Sequence, residues 1–99
     1  RPELYKAVIS QVPLLDMLRY HQLLAGASWI SEYGDPAKSS IRDFWSRTSP
    51  YQNVKAGVKY PRIFFSTSTK DDRVHPGHAR KMVARMIEQG HPVLYYENI

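Results

Sequence analysis

Three short apolar runs, rich in β-branched and aromatic residues, punctuate the chain, and each predicts a strand. Ala7-Val8-Ile9-Ser10-Gln11-Val12 is the first; Pro13 ends it, having no N–H to give to a ladder. Arg62-Ile63-Phe64-Phe65-Ser66-Thr67-Ser68-Thr69 is the second, without clean alternation, as expected of a strand covered on both faces. Val93-Leu94-Tyr95-Tyr96-Glu97 is the third. Between the first two, Met17, Leu18, Leu23, Leu24 and Ala25 recur amid Arg19, His21 and Gln22. That spacing predicts a helix over Asp16 to Ala27, weakened at its end by Gly26 and Ser28. Tyr33-Gly34-Asp35-Pro36 is a turn cluster that also opens a helix from about Pro36 to Arg47, with Ile41, Phe44 and Trp45 forming its apolar stripe. Ser49-Pro50 breaks this pattern, and Tyr51 to Tyr60 reads as a loop. The most regular helix pattern runs from His78 to Gln89, where Ala79, Met82, Val83, Met86 and Ile87 recur at three- and four-residue steps before Gly90.

Residues 62–97 thus predict a strand, crossover helix, strand unit, which is parallel and right-handed by the usual rule. The fold class is α/β, a parallel sheet with flanking helices. Three such strands leave two open sheet edges. Arg1-Pro2-Glu3-Leu4-Tyr5 reads as the tail of an element, and the last strand is followed only by Asn98-Ile99. Residues 1–99 are therefore expected to be part of a larger α/β domain. Composition agrees with a packed interior, since 42% of the 99 residues are hydrophobic and 23% charged. With no cysteine, disulfides, thiolate zinc sites and a cysteine nucleophile are excluded. No run approaches the roughly 18 apolar residues of a membrane span, and the first residues lack a signal peptide's apolar core. A net charge of +5 invites a nucleic-acid reading. The lysines and arginines are scattered, however, and the densest group, Arg80, Lys81 and Arg85, is explained by the solvated face of a helix. Neither a nucleic acid nor a membrane is expected as a partner.

In open parallel sheets the functional groups collect just past the carboxyl ends of the strands. Lys70-Asp71-Asp72-Arg73-Val74-His75-Pro76 occupies that place after the second strand. Its carboxylates, guanidinium and imidazole could orient a catalytic base, bind a substrate carbonyl or hold a metal. Equally, Asp72 and Arg73 could be a loop ion pair and Asp71 an acceptor for backbone N–H groups. Asp71, His75 and His78 would be three metal ligands, but the Pro76-Gly77 turn keeps the two imidazoles off one helical face, and no metal is expected. His21 and His91 stand alone.

Four blocks occur in order at fitting distances: Asp16-Met17-Leu18-Arg19-Tyr20-His21; Trp29 with Tyr33-Gly34; Ser49-Pro50-Tyr51-Gln52-Asn53-Val54; and Asp71-Asp72-Arg73-Val74 with Pro76 and His78. Together they resemble the prolyl oligopeptidase family of serine peptidases over nearly the whole chain. The resemblance implies part of an α/β-hydrolase catalytic domain, paired in the family with a β-propeller that restricts entry to short peptides. The triad of such hydrolases runs Ser, Asp, His, with the serine on a glycine-flanked elbow. None of Gly26, Gly34, Gly57, Gly77 and Gly90 flanks a serine in that way. By resemblance the nucleophile lies before residue 1, the catalytic histidine falls just beyond Ile99, and Asp71 is the triad acid. Its implied role is to accept the Nδ1–H of that histidine and fix its tautomer. The resemblance further implies that Trp29 stacks on the proline ring before the scissile bond. Tyr33, Val74 and Leu14 would complete the slot, and Arg73 would hydrogen-bond a carbonyl of the peptide.

The implied activity is hydrolysis of short proline-containing peptides through an acyl-enzyme, with no cofactor. The implied partners are the peptide and the rest of the parent chain. Ile30-Ser31-Glu32 stands where many relatives carry Thr-Thr-Asp, and Pro13-Leu14-Leu15 replaces smaller residues; both changes border the slot and bear on fine preference. Two other activities fit the same pattern: a peptide-binding domain that has lost catalysis, and an acyl-peptide or dipeptidyl hydrolase of the same superfamily. The pair Trp29 and Tyr33 argues against the latter. A leader ahead of Arg1 would decide between cytoplasm and periplasm.

Overall fold

A computed structural model describes all residues, Arg1–Ile99. Strands β1 (Ala7–Gln11), β2 (Arg62–Ser68) and β3 (Val93–Asn98) form one sheet in the order β1-β2-β3. Both pairings are parallel, with Ile9 opposite Phe64 and Phe64 opposite Leu94. The helices are α1 (Ile30–Tyr33), α2 (Ser39–Thr48), α3 (Pro50–Asn53) and α4 (Gly77–Glu88). The α/β expectation and all three strands hold to within a residue or so at each end.

The core lies where α4 meets the sheet. Val54, Phe65, Met82, Val83 and Met86 form its buried cluster, with Leu15, Tyr51, Tyr60, Ile63 and Val93 packed around it. The periodicity of α4 explains this, because Ala79, Met82, Val83 and Met86 fall on one face. Gly90, at φ 83, then takes the left-handed turn that returns the chain toward β3. The strand β2 differs from expectation. Phe65 is buried, but in the register row on the opposite face Ile9 is 70% and Leu94 54% exposed. Within these residues helix packing covers one face of the sheet only, so the run of apolar residues in β2 reflects two faces of which one is filled here.

The helix expected over Asp16 to Ala27 does not form. In its place are 3₁₀ turns at Tyr20–Gln22 and Leu24–Trp29, leading into the single turn of α1. Leu23 is extended and Leu24 has a φ of 50°, which breaks the helical path. The N–H groups of Asp16 and Met17, which a helix starting there would leave without an internal acceptor, are taken by His78 and Ser49. Two further boundaries shift. Asp35 Oδ1 accepts the Ala37 N–H at 2.9 Å, a local turn that delays α2 to Ser39. Pro50 starts the short α3 inside what reads as a loop, its fixed φ suiting the first helical position.

Candidate active site

Residues 69–76 leave the carboxyl end of β2 as a loop pinned at its start, where Thr69 N–H donates to the Asn98 carbonyl at 2.9 Å. Asp71 shapes the rest of this loop. Its Oδ1 accepts the N–H groups of both Arg73 and Val74 at 2.9 Å, the local bonding that aspartate offers a turn. These two backbone donors hold the Asp71 carboxyl below its ordinary range, so it is an anion at neutral pH. Both bonds go to Oδ1, leaving Oδ2 free to accept another donor. Neither Asp72 nor Arg73 enters an ion pair, the three present being Arg1–Glu3, Arg80–Glu97 and Lys81–Asp16. Arg73 is exposed, its guanidinium uncommitted.

Beside this loop a cavity of about 360 Å³ is lined by Val12, Leu14, Trp29, Glu32, Tyr33 and Val74. Leu14, Trp29, Tyr33 and Val74 come from three separate stretches of chain, and all four candidate slot residues meet here. A larger hollow of about 600 Å³ lies against α4, but Lys81, Arg85, Glu88 and Gln89 make it polar and it holds none of the candidate residues. The apolar lining of the smaller cavity suits a ring without hydrogen-bonding groups. Val12 and Glu32 also belong to it; Glu32 lies in the stretch expected to border the slot, whereas no sequence pattern marks Val12. Val12, at φ 47, bends the chain out of β1 into the cavity wall, a conformation unusual for a β-branched residue and the kind of local outlier that collects at functional sites.

The aromatic wall is held from behind. Tyr20 is fully buried; its hydroxyl donates to the Gly34 carbonyl at 2.6 Å and its ring meets Tyr33 edge-on at 5.8 Å. Trp45 Nε1–H donates to the Tyr33 carbonyl at 3.0 Å, fixing the end of α1 to α2.

The opposite wall rests on a buried polar set. Asp16, Ser49 and His78 are each at most 1% exposed. Gln52 Nε2 donates to Asp16 Oδ1 at 2.7 Å, and Lys81 pairs with Asp16 Oδ2. Burial alone would push the Asp16 carboxyl up; the hydrogen bonds from Lys81 and Gln52, with the charges of Lys81 and Arg19, overcome it and leave the group below its ordinary value. Ser49 Oγ accepts the Met17 N–H and has two acceptors for its single proton, Gln52 Oε1 at 2.5 Å and the Leu15 carbonyl at 3.0 Å. His78 Nδ1 accepts the N–H groups of Leu15 and Asp16 at 3.2 and 3.0 Å. An imidazole that accepts at Nδ1 carries its proton on Nε2 and is neutral. Burial is the main cause that pushes His78 down to about 4, with Asp16 opposing and Lys81 and His75 adding to it. Sequence reasoning assigned this network no role, although Asp16, Ser49, Gln52 and His78 all sit in the blocks that carry the resemblance.

The remaining histidines act locally. His75 Nδ1 accepts the N–H of Gly77 at 2.8 Å, and His91 Nε2 meets the Lys55 carbonyl at 2.9 Å. No three potential metal ligands come together. At the end of β3, Glu97 accepts from Arg80, Thr69 and Tyr95. Those donors, Arg80 first, hold its carboxyl far below the usual range. No helix is long and apolar enough to cross a membrane.

The parallel sheet with its flanking helices matches part of an α/β-hydrolase domain. Residues 1–98 match the model of the prolyl oligopeptidase family, and the chain belongs to that family. It is 58% identical over its full length to an uncharacterized peptidase of Sinorhizobium fredii, of which it spans 14%. It is 42% identical over 87 residues to a prolyl endopeptidase of Elizabethkingia miricola, of which it spans 12%. A chain from a structural study of two prolyl endopeptidases superposes on 99% of it with a TM-score of 0.91 at 40% identity, and 15% of that chain is covered. A post-proline cleaving enzyme from Rickettsia typhi gives a TM-score of 0.90 at 36% identity, covering 99% of this chain and 14% of the other. The chain thus spans about a seventh of the length of the first of these relatives.

Proposed function

We propose that these residues supply the triad acid and the proline slot of a serine peptidase that cleaves short peptides after proline. The observation that carries this is the meeting of Leu14, Trp29, Tyr33 and Val74 around one apolar cavity beside the Asp71 loop. A pyrrolidine ring can enter such a space without leaving a polar group unpaired, because its amide nitrogen carries no N–H. The indole of Trp29 offers a flat face to that ring, and Arg73, exposed and uncommitted, donates to a peptide carbonyl so that the scissile bond is held in register. Asp71 keeps its anionic Oδ2 for the Nδ1–H of a histidine that the parent chain supplies. The ring's Nε2 is then free to take the proton of a serine hydroxyl as its oxygen bonds the carbonyl carbon. The same proton passes to the leaving amine as the C–N bond breaks, and water resolves the acyl-enzyme by the reverse proton path.

The full-length protein is expected to release the chromophore from a proline amide and to be labelled by a serine-reactive phosphonate; the isolated 99-residue chain should do neither. A full-length protein that binds proline peptides without cleaving them, and resists the phosphonate, would instead be a binding module. Turnover by the isolated chain would place the nucleophile within it and end the proposal.

A further inference from the structure

We propose that His78 is a positioning residue for the proline slot, holding the Leu14 wall against the segment that carries Asp71 and Val74. This rests on the post-proline reading above. The two sides of the cavity come from separate connections, Leu14 from the loop after β1 and Val74 from the loop after β2. The sheet ties the two strands only as far as the Val12 N–H on the Ser66 carbonyl at 2.8 Å, and past that point no backbone hydrogen bond joins one loop to the other. His78 stands in the first turn of α4, directly after the Asp71 loop, and its Nδ1 takes the backbone N–H groups of Leu15 and Asp16. The ring therefore joins the backbone following Leu14 to the helix following Val74. Its hold on the loop is reinforced from the other side, where the Leu15 carbonyl accepts the Tyr51 N–H at 2.9 Å and is one of the two acceptors of the Ser49 hydroxyl.

The ring's chemistry fits a fixed acceptor. A buried imidazole whose Nδ1 receives two N–H donors must stay neutral there, and burial favours that state. Loss of the acceptor would strand two backbone donors in a site where His78 is 1% and Asp16 0% exposed. The loop would then shift until other acceptors or water reach those groups, and Leu14 would shift with it. A displacement of about 1 Å in a binding wall is enough to weaken substrate positioning substantially.

The test compares His78→Asn and His78→Gln in the full-length enzyme, with Leu14→Ala alone and combined with each. Asparagine can place an amide oxygen close to where Nδ1 lies, whereas glutamine carries its amide one carbon further out. KM and kcat are measured on paired proline and alanine amides, with the rate of labelling by a small serine-reactive phosphonate. His78→Gln is expected to raise KM for the proline amide by about tenfold while labelling changes by less than about threefold; His78→Asn should stay within about threefold of wild type in both. The Gln and Leu14→Ala effects on KM should be less than multiplicative, since they act on one wall. Equal KM in the Asn and Gln variants would overturn the proposal. So would parallel loss of KM, kcat and labelling in Gln, or a Gln variant that does not fold beside an active Asn variant, because His78 would then serve folding alone. A wild-type enzyme with no preference for proline over alanine would instead defeat the post-proline reading itself, and this inference with it.

Discussion

Asp71 and Arg73 are close neighbours in one loop, yet their surroundings give them different work. Two backbone N–H groups hold the Asp71 carboxylate and keep it charged, while the Arg73 side chain reaches out of the loop unpaired. Replacing Asp71 by Asn in the full-length enzyme is expected to lower kcat by about four orders of magnitude with KM little changed, because the amide would leave the histidine in the wrong tautomer. Arg73→Ala should act on KM instead, by about 10- to 100-fold, the worth of a charge-assisted hydrogen bond to a peptide carbonyl. Steady-state kinetics on one proline amide separates the two effects. His78 has a signature in stability. Its pKa falls from 6.5 unfolded to about 4 folded, so the stabilisation is complete above the unfolded value. As pH drops through the window between those values the unfolded chain takes up a proton that the folded chain refuses. Up to about 3 kcal/mol of stability should then be lost. His78→Asn removes this titration, and denaturant unfolding from neutral to acid pH should show a shallower decline for the variant.

At the scale of elements, the strands and α4 were legible because their patterns are local: β-branched runs ended by Pro13 or flanked by turns, and an apolar stripe closed by Gly90. The stretch 16–29 was not, because its apolar spacing is that of a helix while its conformation is set by partners far away in sequence. Asp16 and Met17 give their N–H groups to His78 and Ser49, and Gly26 packs directly on the Tyr20 carbonyl, where a Cβ would lie 1.7 Å from the oxygen. Propensity carries no information about such contacts. Gly26→Ala is accordingly expected to destabilise the protein by on the order of 3 kcal/mol or more, since backbone would have to move. Gly34 ends α1 at φ 86 and ψ 156, a conformation that side chains avoid, with the Ile41 side chain 2.9 Å from where a Cβ would stand. Gly34→Ala should cost about 1–3 kcal/mol and loosen Tyr33 in the cavity wall. Thermal unfolding of the two variants measures both.

Across the whole chain, the four blocks that carry the family resemblance are also the segments that touch one another. The first block binds the third through Asp16 and Gln52 and the fourth through His78, and it reaches the second through the Tyr20 hydroxyl on the Gly34 carbonyl. That Leu14, Trp29, Tyr33 and Val74 meet at one cavity was therefore legible through the motif pattern, whereas composition and periodicity alone would have read Trp29 and Tyr33 as core. The polar network beneath them was not legible, because an aspartate, a serine and a histidine on separate segments show no periodicity that marks them as mutual partners.

Whether the cavity of Leu14, Trp29, Tyr33 and Val74 receives the proline ring is read from the ratio of kcat/KM on a proline amide to that on the matching alanine amide, for the full-length enzyme and its Trp29→Ala variant. Removing the indole should lower that ratio by about 10- to 100-fold, the worth of burying an aromatic face against the ring, with kcat/KM for the alanine amide nearly unchanged. An unchanged ratio in the variant would contradict the assignment of this cavity.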